Sequence, residues 1–65
     1  MIKTVIRLPN NTVFVFDAEG EQIPGYQGQY EAVKSRVLED APRDTLFQHV
    51  LISGHQLCPV SREEW

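Results

Sequence analysis

The sequence predicts an α+β fold of the order ββαββ, in which a four-stranded antiparallel sheet of two hairpins carries one helix on one face. Residues 2–8 and 12–16 alternate in the manner of strands on either side of a Pro-Asn-Asn turn. Residues 29–41 change to a helical period, and residues 46–52 and 57–60 return to strand-like composition. At 65 residues the chain is expected to form a single small domain, residues 1–65.

The first hairpin is defined by its turn. Pro9 suits the first central position of a type I turn, and Asn11 tolerates the left-handed conformation of a following bulge. This turn pairs Ile6 with Phe14, whereas a competing two-residue turn would place valines beside the isoleucine. We prefer the first register because it buries the larger side chains, and we therefore expect the phenylalanines to face the helix.

The helix is predicted over residues 29–41, after a connecting loop at residues 17–28. Gly28 serves as a candidate N-cap, and Pro42 is expected to end the helix at about Ala41. One helical face carries the apolar stripe. Its members are Tyr30, Val33, Val37, Leu38 and Ala41.

The second hairpin joins residues 46–52 to residues 57–60. Gly54 fits the first central position of a type II′ turn, which predicts that Ile52 pairs with Leu57 and that Leu51 pairs with Cys58. Pro59 cannot donate a backbone hydrogen bond, so the last strand is predicted to lie at an edge.

Composition and charge argue against several partners and compartments. Nine acidic residues against six lysines and arginines give a net charge of −3, which opposes attraction to nucleic acid or to an anionic membrane. No apolar run is long enough to span a bilayer, and the first residues do not resemble a secretory signal. Together with a single cysteine, which cannot form an internal disulfide, these features predict a cytoplasmic protein.

His49, His55 and Cys58 are the leading candidates for a metal site or a catalytic centre. Zinc takes four ligands, or three and a water molecule, and these residues do not complete a recognised set. A cysteine nucleophile also needs an activated thiolate, and Cys58 lies in an apolar strand with no helix N-terminus beside it. We therefore expect no metal, no cofactor and no enzymatic activity.

An apolar surface is the main functional hypothesis. If the phenylalanines face the helix, then Val5, Val13 and Val15 form an apolar patch on the opposite side of the sheet, and such patches mark interfaces. Trp65 is either a lid on the sheet or a partner anchor. A chain this short buries little surface alone, so the sequence predicts a protein-interaction or regulatory module that forms a homodimer or binds a protein partner. The alternative is a nucleic-acid-associated accessory protein that uses Lys3 and Arg7.

Overall fold

The computed structural model describes residues 1–50 and 56–65, which form a mixed five-stranded sheet with one helix. The strands are β1 Thr4–Arg7, β2 Thr12–Phe16, β3 Gly28–Gln29, β4 Leu46–Val50 and β5 Leu57–Val60, and the helix α1 is Tyr30–Asp40. The order across the sheet is β3-β2-β1-β4-β5. The predicted α+β class with a single helix is confirmed.

The prediction of four antiparallel strands is wrong in detail, because β1 and β4 are parallel and a fifth strand is present. The short strand β3 pairs antiparallel to β2 and therefore runs in the same direction as β1. A helix crossover joins parallel strands, so the chain that leaves β3 through α1 returns as β4 parallel to β1. The strands on either side of the helix, β3 and β4, therefore run in the same direction.

The first hairpin has the predicted turn and register. The Asn11 N–H donates to the Leu8 carbonyl at 2.9 Å, and Asn11 has a φ of 67°. These are the features of a type I turn followed by a left-handed bulge residue. Ile6 pairs with Phe14 as predicted.

The helix lies close to its predicted bounds and buries the predicted stripe. Val33 and Val37 are buried, Ala41 is the C-cap, and Tyr30 and Leu38 pack against the core. The predicted N-cap is wrong by one residue, since Gln29 holds that position.

Both ends of the helix form hydrogen bonds with residues from elsewhere in the chain. The Tyr30 N–H donates to the Asn11 carbonyl at 2.7 Å. At the other end the Arg62 guanidinium donates to the carbonyls of Leu38, Ala41 and Pro42 at 3.3, 3.2 and 2.6 Å. The last turn has no basic residue of its own, so Arg62 supplies the positive charge that the helix C-terminus favours.

The helix packs on the valine face of the sheet, so the predicted orientation of the first hairpin is wrong. Val5, Val13 and Val15 have no exposed surface and lie against the helix, whereas Phe14 and Phe16 point to the opposite side and stay partly exposed. The alternation along both strands is as predicted, but both faces of the hairpin are apolar. The identity of the buried face therefore depended on contacts from distant parts of the chain.

Trp65 and Phe47 supply the large side chains of this core, and each is 2% exposed. The indole of Trp65 meets the rings of Tyr30 and Phe47 edge to face, with centroid distances of 5.1 Å in both pairs. Small valines on β1 and β2 leave room above the sheet that these rings fill. Trp65 thus occupies the place of a lid, one of its two predicted roles.

The second hairpin has a different register from the predicted one. Val50 pairs with Leu57 and His49 pairs with Cys58, so the connection is longer than a two-residue turn. The register differs by two residues, which leaves each side chain on the same face of the sheet. The predicted turn at Gly54 lies outside the described residues, as does His55.

Candidate interaction surface

The sheet face that points away from the helix is the candidate functional surface. Side chains alternate between the two sides of the sheet along each strand, so the strand residues that flank a helix-side residue point away from the helix. We call this the outer face. Its strand residues are Thr4, Ile6, Thr12, Phe14, Phe16, Gln29, Leu46, Gln48, Val50, Leu57 and Pro59.

The outer face is organised in rows that cross the strands. One row runs from Phe14 through Ile6 to Gln48 and Pro59, because these residues pair successively across four strands. Phe14 and Ile6 are partly exposed, while Gln48 is buried among its neighbours at the middle of the face. The centre of the outer face is therefore a continuous apolar strip with one amide in it.

A second row runs from Phe16 through Thr4 to Leu46, and Leu57 lies on the far strand beside Val50. Leu46 and Leu57 are 45% and 50% exposed, which is unusual for large aliphatic side chains in strands. A sheet face in contact with water normally alternates to polar residues. The described residues of the outer face are mostly apolar, and so they resemble an interior surface more than a surface in contact with water.

Among the described residues, no strand residue of the outer face is charged. The acidic residues lie in the loops, in the helix and in the segment after β5. Within the described strands the charged residue is Arg7, and it lies on the helix side of the sheet, where its guanidinium stacks on the Tyr30 ring at 3.6 Å from the centroid. The charged side chains therefore lie outside the strand residues of the outer face.

The two edges of the sheet are poorly suited to pairing with another strand. At β5, Pro59 has no N–H to donate, which interrupts the row of donors along that edge. At the other edge β3 has only two residues, and beyond it the Gln27 side chain accepts from the Val15 N–H and donates to the Val15 carbonyl, both at 3.0 Å. These features favour contacts through the face of the sheet over strand addition.

The residues predicted to bind a partner do not lie on the outer face. Val5, Val13, Val15 and Trp65 are all part of the core. The predicted patch was placed on the wrong side of the sheet because the helix covers the valines. The residues that sequence reasoning missed are the phenylalanines and Leu46, and no pattern in the first hairpin distinguishes its two apolar faces.

His49 and Cys58 form a directly opposed cross-strand pair on the helix side of the sheet. Cys58 is exposed, and the described residues contain no group of three His, Cys, Asp or Glu side chains that could hold a metal ion. Among the described residues, the buried Nε2 of His49 and Nε1 of Trp65 have no hydrogen-bond partner. The pair gives no geometry on which to assign a ligand.

Two side-chain hydrogen bonds join the loop before the helix to the helix, on the side of the sheet opposite the outer face. The Tyr26 hydroxyl donates to the Asp40 carboxylate, and the Arg36 guanidinium donates to the Gly25 carbonyl. The hydrogen bond to Asp40 is the main cause that raises the pKa of Tyr26 above 10.0. The Tyr26 hydroxyl is therefore neutral at physiological pH, and its hydrogen bond to Asp40 holds the loop against the helix.

The described part of the chain contains no helix with the length and apolarity that crossing a membrane requires. Comparisons of the chain with family models, with curated proteins and with solved structures find no match. Function must therefore be argued from the geometry of the outer face itself.

Proposed function

We propose that this protein is a small non-enzymatic interaction module that binds a protein surface through its outer face. The observation that carries the proposal is the uncharged, largely apolar character of that face, with Leu46 and Leu57 about half exposed. Contiguous apolar surface of this kind is costly to leave in water and marks interaction sites in small proteins. The described strand residues of the outer face also lack the titratable side chains that a catalytic site would use for proton transfer.

The size of the outer face fits a weak or transient interface. Four strands about 4.8 Å apart, of four or five residues at about 3.4 Å each, give a footprint of about 19 Å by 14–17 Å. Apolar surface contributes about 25 cal/mol per Å² buried, from which the entropy of association must be subtracted. The footprint is smaller than that of a standard stable complex, so the proposed module binds reversibly.

The contacts of the basic side chains disfavour the alternative of nucleic-acid binding. The ammonium group of Lys3 pairs with the Asp44 carboxylate at 3.2 Å. Arg7 donates to the Trp65 carbonyl at 2.8 Å in addition to its stacking on Tyr30. Side chains already held in these contacts are less available to phosphate, and the net charge of −3 opposes the approach of a polyanion.

Capture of proteins from a cell lysate, compared between the wild type and a variant of the outer face, tests the proposal. The immobilised protein is compared with a Leu46→Glu variant, in which the change falls on an exposed position of the outer face. Ala32→Glu is the matched charge control, because Ala32 is exposed on the helix. Far-UV circular dichroism first verifies that all three proteins fold.

We expect the wild type and Ala32→Glu to retain at least one protein that the outer-face variant does not retain. That protein can be a further copy of this chain. Retention of the same proteins by all three would contradict a role for the outer face. Binding of single-stranded RNA or duplex DNA that weakens with salt and survives the outer-face change would instead support the nucleic-acid alternative.

A further inference from the structure

Resting on the proposed function, we infer that the occupant of the outer face is a second copy of this chain, packed sheet against sheet. The two copies are related by a two-fold axis, so that the same face serves both partners. The product is a four-layer arrangement with the helices outside and the two sheets inside. Sheets packed in this manner lie about 10 Å apart with their interior side chains interdigitated.

The distribution of charge favours a second copy over a charged partner. A molecule with a net charge of −3 repels its own copies wherever acidic surfaces meet. In the part of the chain that the structure describes, the outer face carries no charged strand residue, and the acids lie on loops, on α1 and after β5. Two copies that meet through their outer faces therefore bring two apolar surfaces together and keep the acids of their helix layers apart.

The central row of the outer face suits a two-fold axis. Ile6 lies between Phe14 and Gln48 in this row, on the middle strand of the sheet. A two-fold axis along this row brings Ile6 of one copy against Ile6 of the other, so that like residues meet at the centre of the interface.

The area of the face indicates a weak association. The footprint is about 300 Å² per copy in projection, or on the order of 600 Å² for the pair, which is below the usual range of stable dimers. We therefore expect a dimer in rapid exchange with monomer and take a Kd of about 0.1–1 mM as its scale. The two-fold contact uses up the outer face of each copy, and Pro59 at the β5 edge opposes further growth by strand pairing.

Sedimentation velocity over a concentration series, from about 20 µM to about 2 mM, tests this inference around the expected Kd. We expect the weight-average sedimentation coefficient of the wild type and of Ala32→Glu to rise together toward the value of a dimer. Leu46→Glu, at an exposed site, should weaken association by about tenfold or more, because it places a carboxylate in the apolar interface.

A charge exchange at the centre of the outer face identifies self-association specifically. Ile6→Glu and Ile6→Lys should each be monomeric, since like charges meet across the two-fold axis. An equimolar mixture should associate again, because each Glu then faces a Lys. Circular dichroism verifies that the two variants fold, and Leu46→Glu provides the test at an exposed site if they do not.

A wild-type protein that remains monomeric through the whole series overturns the inference, and so does a Leu46→Glu variant that dimerises as well as Ala32→Glu. If sedimentation shows only monomer while capture from lysate depends on the outer face, a different protein occupies the face and the proposed function stands. If neither measurement depends on the outer face, both proposals are refuted.

Discussion

Replacement of Trp65 with alanine should remove a large part of the stability of this protein. The side chain is 2% exposed and lies between α1 and the sheet, edge to face with Tyr30 and Phe47 at 5.1 Å. Its removal exposes the buried valines that it covers and breaks both aromatic contacts. It also releases the segment that carries Arg62, which caps the helix C-terminus.

The expected cost follows from the buried area. A tryptophan side chain buries about 150–250 Å², which at about 25 cal/mol per Å² corresponds to about 4–6 kcal/mol. Partial collapse of the site reduces this figure, and measured costs for buried aromatic residues are about 3–5 kcal/mol. A chain of 65 residues has a total free energy of unfolding of about 3–10 kcal/mol. The variant should therefore be marginally stable or unfolded at room temperature.

Urea denaturation followed by far-UV circular dichroism measures this cost. Trp65 is the only tryptophan, so the fluorescence of the wild type gives a second probe of the same transition. Leu57→Ala is the control, because Leu57 is 50% exposed and its truncation should cost less than about 1 kcal/mol. A loss below about 1 kcal/mol for Trp65→Ala would show that the indole is not part of the core and would refute this packing.

Three further predictions test other parts of the structure. Val13→Lys should prevent folding because it buries a charge, whereas Phe14→Lys should leave a folded protein. If circular dichroism shows the reverse, the phenylalanines and not the valines face the helix. Arg62→Met should lower the free energy of unfolding in urea by about 1–3 kcal/mol through loss of charged hydrogen bonds to the helix end, and an unchanged midpoint would contradict that role. Tyr26 should ionise above pH 10.0 in a spectrophotometric titration, and Asp40→Asn should lower its pKa, because the carboxylate both accepts the hydroxyl proton and repels the phenolate. Since the pKa of Tyr26 is raised in the folded protein, any stabilisation from this pair is present at neutral pH and is lost as the pH rises through the folded pKa. The same Tyr26 pKa in the wild type and in Asp40→Asn would argue against the contact.

Local features could be predicted from the sequence because short-range sterics determine them. The turn at Pro9 and Asn11 has few conformations open to it, and it sets the pairing of Ile6 with Phe14. The end of the helix followed from Pro42, which disfavours helical backbone at the preceding residue. These predictions needed only neighbouring residues, and the structure confirms them.

The sequence predicted an apolar interaction surface on the sheet but placed it on the wrong side. Apolar residues on both faces of the first hairpin indicated that one helix would leave an apolar face uncovered. Alternation does not say which face that is, because valines and phenylalanines are both suitable for a core. The larger area of the phenylalanines favoured the wrong face, and the predicted partner-binding residues followed that error.

The sequence alone determined the α+β class, the register of the first hairpin and the apolar face of the helix. The tertiary structure decided the direction of β4 and the face on which the helix packs. Trp65 and Phe47, distant in sequence from the valines, fill the space above those small side chains and complete a core there. Close packing across the whole molecule, which no local pattern encodes, therefore buried the valines and left the phenylalanines of the outer face partly exposed to water.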